Sequence, residues 1–237
     1  MTHESRYDTR EAKSEKILTI LQDFLGQDLS AYICLDVGCG IGAISSRAAD
    51  YFKLTIGIDL DTPAIQQAVS HHQRDRMQFA LASGHEIPFA DGTIDVIICA
   101  QVYEHSTDPE ALAREIYRVL RPGGVCFFSG PNRLNIIEEH YWLPFLSWLP
   151  QSLANRYMQR FQRGPIYDAY PMTYWGIRGL WRHFQVVDYT PKIIKAPEKY
   201  SLQRGLGRLT FLGRLPVGVL NYLKPIYPNY NWILVKK

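Results

Sequence analysis

Residues 32–42 read YICLDVGCGIG: an apolar run carrying a single carboxylate, Asp36, followed by glycines at 38, 40 and 42. The run is short and rich in strand formers, and the segment after it, GAISSRAADYF, has helical spacing. A strand that turns into a helix through glycines lets the main chain approach a ligand at the sheet's end, because no Cβ stands in the way. Asp36 adds negative charge beside that turn. The stretch therefore asks which ligand suits both a bare backbone and a carboxylate.

Working outward, LTIGID (54–59), MQFALA (77–82), IDVIICA (94–100) and GVCFFSG (124–130) read as further strands. Between them lie helical patterns. SEKILTILQDFL (14–25) puts Ile17, Leu21, Phe24 and Leu25 on one face, with Gly26 as a stop. In DTPAIQQAVSHH (61–72) Thr62 is expected to cap and Pro63 to open the helix. In DPEALAREIYRVLRPGG (108–124) Asp108 caps and Pro109 follows, Leu112, Ile116, Val119 and Leu120 form a stripe, and Gly123 is expected to end the helix. Strand and helix alternate five times, which predicts a parallel sheet with helices on both faces.

The pattern changes after residue 130. Residues 131–171 are rich in aromatics, prolines and arginines and are expected to form a helical insertion over the sheet's C-terminal edge. TYWGIRGLWRHF (173–184) returns to helical spacing, and QVVDYT (185–190) and NWILVK (231–236) read as closing strands. One domain spanning 1–237 is expected, with a core at 30–133 and insertions at 134–184 and 191–229.

Hydrophobic content of 46% with 21% charged residues is ordinary for a globular chain, and no apolar run approaches the ~20 residues that span a bilayer. The polar, mixed-charge start MTHESRYDTREAKSEK is unlike a leader peptide, so cytoplasm is the default. Cys34, Cys99 and Cys126 sit in apolar runs and Cys39 in the glycine loop. None makes a CxxC pair or a metal-ligand spacing with histidine, so buried thiols are expected and no metal site is. The net charge of +3 hides an asymmetry: residues 1–139 carry 12 basic against 20 acidic residues, whereas residues 140–237 carry 14 against 3. The basic half favours anionic partners.

Two ligands suit a glycine turn, a dinucleotide and S-adenosylmethionine, and charge separates them. A dinucleotide places its pyrophosphate at the turn, where Asp36 repels it; adenosylmethionine brings an ammonium and a sulfonium, which Asp36 attracts. Asp59, 21 residues after Gly38, is placed to accept from ribose hydroxyls in either. LDVGCGIG, GIDLD, IPFADGTIDVIICAQVYEH and LRPGGVCFFSGPNR follow one another across residues 30–133. In that order they resemble the class I S-adenosylmethionine-dependent methyltransferases of the small-molecule type. The resemblance implies a Rossmann-like sheet of seven strands, mostly parallel with an antiparallel last strand, and S-adenosyl-L-methionine as cofactor.

It also implies roles for residues. Asp36, Gly38, Gly40 and Gly42 line the methionine end, Asp59 holds the ribose, and Gln101 borders the methionine moiety. Ser83 stands where many relatives have an acidic residue near the adenine, with Gly84 and His85 as substitutes. The sulfonium is already a good leaving group, so methyl transfer depends mainly on positioning and exclusion of water. A base is needed only where the acceptor must lose a proton. His105 in QVYEH is the best-placed base, or else orders the loop, and Glu104 is read as a structural acceptor. His140, Tyr141, Trp142, Tyr167, Asp168 and Tyr170 are the expected wall of an acceptor pocket.

SLQRGLGRLTFLGRLPVGVLNYLKPIYP (201–228) mixes Leu202, Leu206, Leu209, Phe211, Leu212 and Leu215 with Arg204, Arg208 and Arg214. It reads either as a lid helix packed on its own domain or as a segment resting on anionic lipid. No nucleic-acid motif is present. The expected function is methyl transfer to a small-molecule or lipid-linked acceptor of anionic character, with peripheral contact at an anionic membrane. The alternatives are a non-catalytic adenosylmethionine-binding protein and an NAD-binding oxidoreductase.

Overall fold

The computed structural model describes residues 3–201 and 210–237. Its elements, in chain order, are α1 (His3–Leu25), β1 (Ile33–Val37), α2 (Ala43–Ala48), β2 (Leu54–Asp59), α3 (Thr62–His72), β3 (Met77–Leu81), β4 (Ile94–Ala100), α4 (Pro109–Val119) and β5 (Leu120–Pro131). After these come α5 (Gln151–Arg160), α6 (Tyr174–Leu180), β6 (Phe184–Asp188), α7 (Thr190–Lys195), α8 (Val217–Tyr222) and β7 (Asn229–Lys236).

The strands form one seven-stranded sheet in the order β3-β2-β1-β4-β5-β7-β6. β1 pairs in parallel with β2 and β4, β2 with β3, and β4 with β5. β7 alone runs the other way, antiparallel to both β5 and β6. Chain order reverses between β1 and β4, and the loops leaving those two strands diverge to open a crevice at their C-terminal ends.

Period-2 side chains sort the core by face. On β4, Ile97 and Cys99 join the cluster beneath α4 and α6, with Leu112, Ile116, Val119, Ile177 and Trp181. Val96, Ile98 and Ala100 join the opposite cluster, with Ile17, Ile20 and Leu21 of α1 and Ile193 of α7. Burying each such side chain contributes roughly 1.5–3 kcal/mol. All three cysteines of the apolar runs are fully buried.

Two sequence expectations about helix ends change. The cap of α3 is Asp61 rather than Thr62: its carboxylate accepts from the Ala64 N–H at 3.2 Å. A carboxylate one residue earlier reaches the first free amides, and Thr62 becomes the first helical residue. α4 is capped by Asp108 as expected, accepting from Ala111 N–H at 2.8 Å, but it stops at Val119 and not at Gly123. Leu120 is already extended and pairs with Ile94, and Gly123 (φ 74°) lies in the irregularity before Val96 pairs with Val125.

The insertion after β5 is less helical than its sequence suggested. Between Pro131 and α6 the chain holds α5 and a single 3-10 turn at Leu146–Trp148. Leu143, Leu146, Ala154, Met158, Tyr167 and Ala169 give it a small core of its own. Residues 202–209, with Leu202, Arg204, Leu206, Arg208 and Leu209 of the basic segment, lie outside the described residues.

Candidate active site

The glycine turn is set first by the protein itself. Gly38, Gly40 and Gly42 have φ of 72°, 53° and 82°, where L side chains are strained. A Cβ at Gly38 would stand 2.6 Å from Val102, and one at Gly42 would stand 2.5 Å from Phe79. Gly42 is therefore required by packing against β3, whereas Gly38 also faces the crevice. The turn is pinned to β2, since Gly38 and Cys39 both donate N–H to Ile58 O, at 2.8 and 3.0 Å.

At the switch point lies a cavity of about 310 Å³ lined by Gly38, Asp59, Ser83, Gly84, His85, Gln101, Val102 and His105, among others. Seven of the residues singled out from the sequence thus meet across 67 positions of chain, at the ends of β1, β2, β3 and β4. Asp59 accepts from Gly40 N–H at 2.7 Å through Oδ2 and from Asp61 N–H at 2.9 Å through Oδ1. A carboxylate has about four lone-pair sites, so two remain for a pair of vicinal hydroxyls. Ser83 Oγ accepts the His85 N–H at 3.1 Å, and the His85 ring meets Ser106 Oγ at 2.6 Å. Gln101 holds φ 63° at the end of β4, with its N–H bonded to Ser129 O at 2.8 Å. A non-glycine residue kept in that region stores local strain of order 1–3 kcal/mol.

Asp36, Gly40 and Gly42 do not line this cavity. Asp36 is buried behind the turn and accepts from Ser45 Oγ at 2.5 Å. Burial pushes its carboxyl up to about 7, against the opposing effects of the Ser45 hydroxyl and the charge on Lys13. A cation at the turn would hold it ionised. The sequence reading placed Asp36 along the methionine end; in the structure it is buried behind the turn, bonded to Ser45.

Beyond β4, the 3-10 turn Tyr103–His105 joins the sheet to the insertion. Tyr103 is buried and ties two segments together: its Oη donates to Pro131 O at 2.5 Å and accepts from Met172 N–H at 3.1 Å. Glu104 was read as a structural acceptor, and its carboxylate accepts from no other residue. It is fully buried, and burial pushes its pKa up to about 7. His105 is exposed, with Nδ1 3.2 Å from Asp168 O and Nε2 3.4 Å from His140 Nε2.

The six expected acceptor-wall residues divide. His140 donates through Nδ1 to Glu138 at 2.8 Å, which raises its pKa, and Tyr141 Oη donates to Asp168 at 2.6 Å. These three therefore gather against His105. Tyr167 and Tyr170 line a second cavity of about 460 Å³ with Arg133, Ser147 and Met172, Tyr167 being buried in the insertion's own core. Trp142 is 64% exposed and lines neither cavity. Sequence reasoning missed Ser45, Glu138 and the isolation of Glu104. Only Glu138 left a trace, as a carboxylate two residues before His140.

Comparison with known proteins points to a methyltransferase domain. Residues 35–128 match the methyltransferase-domain family. A probable S-adenosylmethionine-dependent methyltransferase of Mycolicibacterium smegmatis is 35% identical over 100 residues, 42% of this chain and 38% of that protein. A ubiquinone biosynthesis O-methyltransferase of Idiomarina loihiensis is 32% identical over 144 residues, 54% of each chain. The chain thus spans about half or less of the length of these curated relatives. Among solved structures, the YcgJ protein of Bacillus subtilis superposes over 93% of this chain and 98% of its own, with TM-score 0.56 and 15% identity. The Haemonchus contortus phosphoethanolamine N-methyltransferase 2, with S-adenosylhomocysteine bound, covers 93% of this chain and 52% of its own, with TM-score 0.57 and 22% identity. At those identities the likeness shows the fold.

Proposed function

We propose, for a chain whose residues 35–128 match a methyltransferase-domain family, that the protein is a class I S-adenosylmethionine-dependent methyltransferase that transfers a methyl group to a small-molecule acceptor. The observation that carries this reading is the cavity at the β1–β4 switch point, where a bare glycine turn and the two free lone-pair positions of Asp59 face one space. Adenosylmethionine would supply there a methyl group on a sulfonium that leaves readily. Gly38 leaves room for the methionine end, Asp59 accepts from the ribose hydroxyls, and Ser83, Gly84 and His85 stand at the adenine side. Asp36 supplies negative charge behind the turn, and Gln101 borders the reacting end.

The residues beyond the turn serve the acceptor. Excluding water and aligning the acceptor contribute most of the rate in such a displacement. The relatives named as ubiquinone biosynthesis O-methyltransferases favour a hydroxyl acceptor over a nitrogen or carbon one. For a hydroxyl, His105, which lines the cavity, is the residue we assign to take the proton. Calorimetry with S-adenosylhomocysteine and with NAD tests the cofactor. Binding of NAD alone would overturn the reading, and turnover with an acceptor library separates an enzyme from a protein that only binds the cofactor. Mass spectrometry of cell extracts with and without the gene, seeking a difference of ~14 Da (one methylene), identifies the acceptor.

A lipid-linked acceptor reached at an anionic surface is the finer reading, favoured by α5. That helix exposes Leu153 beside Arg156 and Arg160, with Phe161 and Arg163 exposed just after it. Each basic residue near an anionic bilayer is worth ~1 kcal/mol. Two lysines of the basic half, Lys192 and Lys199, instead pair with Asp23 of the acidic half. Flotation with anionic vesicles at low salt is expected to carry the protein up, and Leu153→Ser with Phe161→Ser to abolish it. Absence of flotation for the parent protein removes the surface from the reading.

A further inference from the structure

Glu104, His105 and His140 place one ligand atom each within 4.8 Å of one another, although 35 residues separate the two histidines. The hydrogen bonds at the far side of each ring decide what the near side presents. Nδ1 of His105 lies 3.2 Å from the Asp168 carbonyl, which only accepts, and Nδ1 of His140 lies 2.8 Å from the Glu138 carboxylate. Both Nδ1 atoms therefore carry the hydrogen. In neutral imidazoles that leaves two Nε2 lone pairs facing each other across 3.4 Å. Beside them lies the Glu104 carboxylate, fully buried and accepting from no other residue. Two opposed lone pairs beside a buried carboxylate repel one another unless a proton on His140 or a metal ion stands between them.

We propose that Glu104, His105 and His140 bind a divalent transition-metal cation, of the Zn²⁺ class, at the rim of the cofactor cavity. The separation fits: two nitrogens each about 2.05 Å from a tetrahedral zinc stand ~3.3 Å apart, against 3.4 Å here. Two imidazoles with one carboxylate suit a borderline cation and disfavour Mg²⁺ or Ca²⁺, which take oxygen ligands. Glu138 fits as the carboxylate that orients a ligating histidine, and it is itself fixed by the N–H groups of His140 and Tyr141 at 2.8 and 2.7 Å. Lys13 adds positive charge facing Glu104 but offers the imidazoles no ligand position. Three protein ligands leave a fourth position open, as in catalytic zinc sites.

That open position would take the acceptor's hydroxyl, and this part rests on the methyl-transfer reading. A bound cation would occupy His105 Nε2 in place of the base role given above, and would lower the pKa of the acceptor's hydroxyl so that its proton passes to water at the exposed rim. The metal site itself does not depend on that reading, so its test reads metal and not turnover. Purified protein is dialysed against Zn²⁺, and separately Co²⁺, and metal per chain is measured beside S-adenosylhomocysteine affinity. The expected result is one ion per chain, with a Co²⁺ spectrum lacking thiolate charge transfer. His140→Ala and Glu104→Gln are expected to abolish binding, and Glu138→Gln to weaken it 10–100-fold. No bound ion, a thiolate band that moves the ion to the cysteines, or binding untouched in folded variants would overturn the site. A variant that fails to fold leaves the Co²⁺ spectrum of the parent protein to decide.

Discussion

Replacing Asp36 by Asn is expected to reverse the sign of its effect on stability between pH 4 and pH 8. Burial lifts the Asp36 carboxyl to about 7 in the folded protein from 3.8, a shift of about 3 units, or ~4 kcal/mol. Between those values the folded state binds a proton that the unfolded state does not, so the contribution of Asp36 to stability falls as pH rises. The penalty is near zero at pH 4 and complete by pH 8. Asn removes it at every pH. Asn still accepts from Ser45 but buries an amide with no fixed acceptor, which costs ~1–3 kcal/mol. The variant should therefore be less stable than the parent by ~1–3 kcal/mol at pH 4, and more stable by about the same amount at pH 8. For a domain of this size that is roughly 2–4 °C in melting temperature per kcal/mol. Thermal melts of both proteins across this range are the assay. A difference in melting temperature that does not change with pH would refute the reasoning. Cofactor affinity should move oppositely: a ligand carrying an ammonium group needs the ionised carboxylate. Calorimetry should show at least tenfold weaker S-adenosylmethionine binding in the variant at pH 8, and weakening of parental binding below pH 7.

Asp59→Ala should weaken S-adenosylhomocysteine binding more than tenfold and also lower the melting temperature, because it frees the Gly40 and Asp61 amides as well as the ribose. Unchanged affinity by calorimetry would remove Asp59 from the site. Gln101→Gly should relieve the positive φ, raise stability by ~0.5–1 kcal/mol in denaturant titration, and weaken cofactor binding. A gain in stability with unaltered binding would make Gln101 a strained bystander. Tyr103→Phe should cost ~1–3 kcal/mol, since it orphans the Met172 amide inside the structure. It should also speed hydrogen exchange at Met172; exchange as slow as in the parent would show that the clamp holds nothing.

The alternation of strand and helix was legible up to residue 130 because each element there carries its own period and its own punctuation. Asp108–Pro109, for example, opens α4 where the sequence places it. The end of α4 was not legible, since Gly123 signals a stop and the partner strand, not the glycine, ends the helix at Val119. Within the site, Asp59 and Gln101 follow from their place at strand ends. Gly42 was credited to a ligand although Phe79 excludes its side chain, and no local pattern records a contact between residues 37 positions apart. The same limit hid the pairing of His105 with His140. Their meeting depends on Tyr103 and Asp168 holding an irregular insertion against β5, and irregular backbone has no period to read. Trp142 shows the converse, an aromatic that suggested a pocket wall and faces solvent.

The reversed strand β7 has a consequence for how the chain acquires its structure. β7 is the wedge between β5 and β6: Ser129 pairs with Asn231, and Val187 pairs with Ile233. Until β7 is in place, β5 offers one unpaired edge of apolar residues, Val125 to Phe128, and β6 has no sheet to join. During synthesis that edge would emerge from the ribosome about 100 residues before its partner strand does. Closure of so long a loop comes late and slowly, and unpaired edges of this kind pair readily with other chains. The last of the sheet's seven strands thus governs yield: substitutions that weaken β7, such as Ile233→Pro, should divert newly made protein into aggregates long before they alter the β1–β4 half that carries the glycine turn.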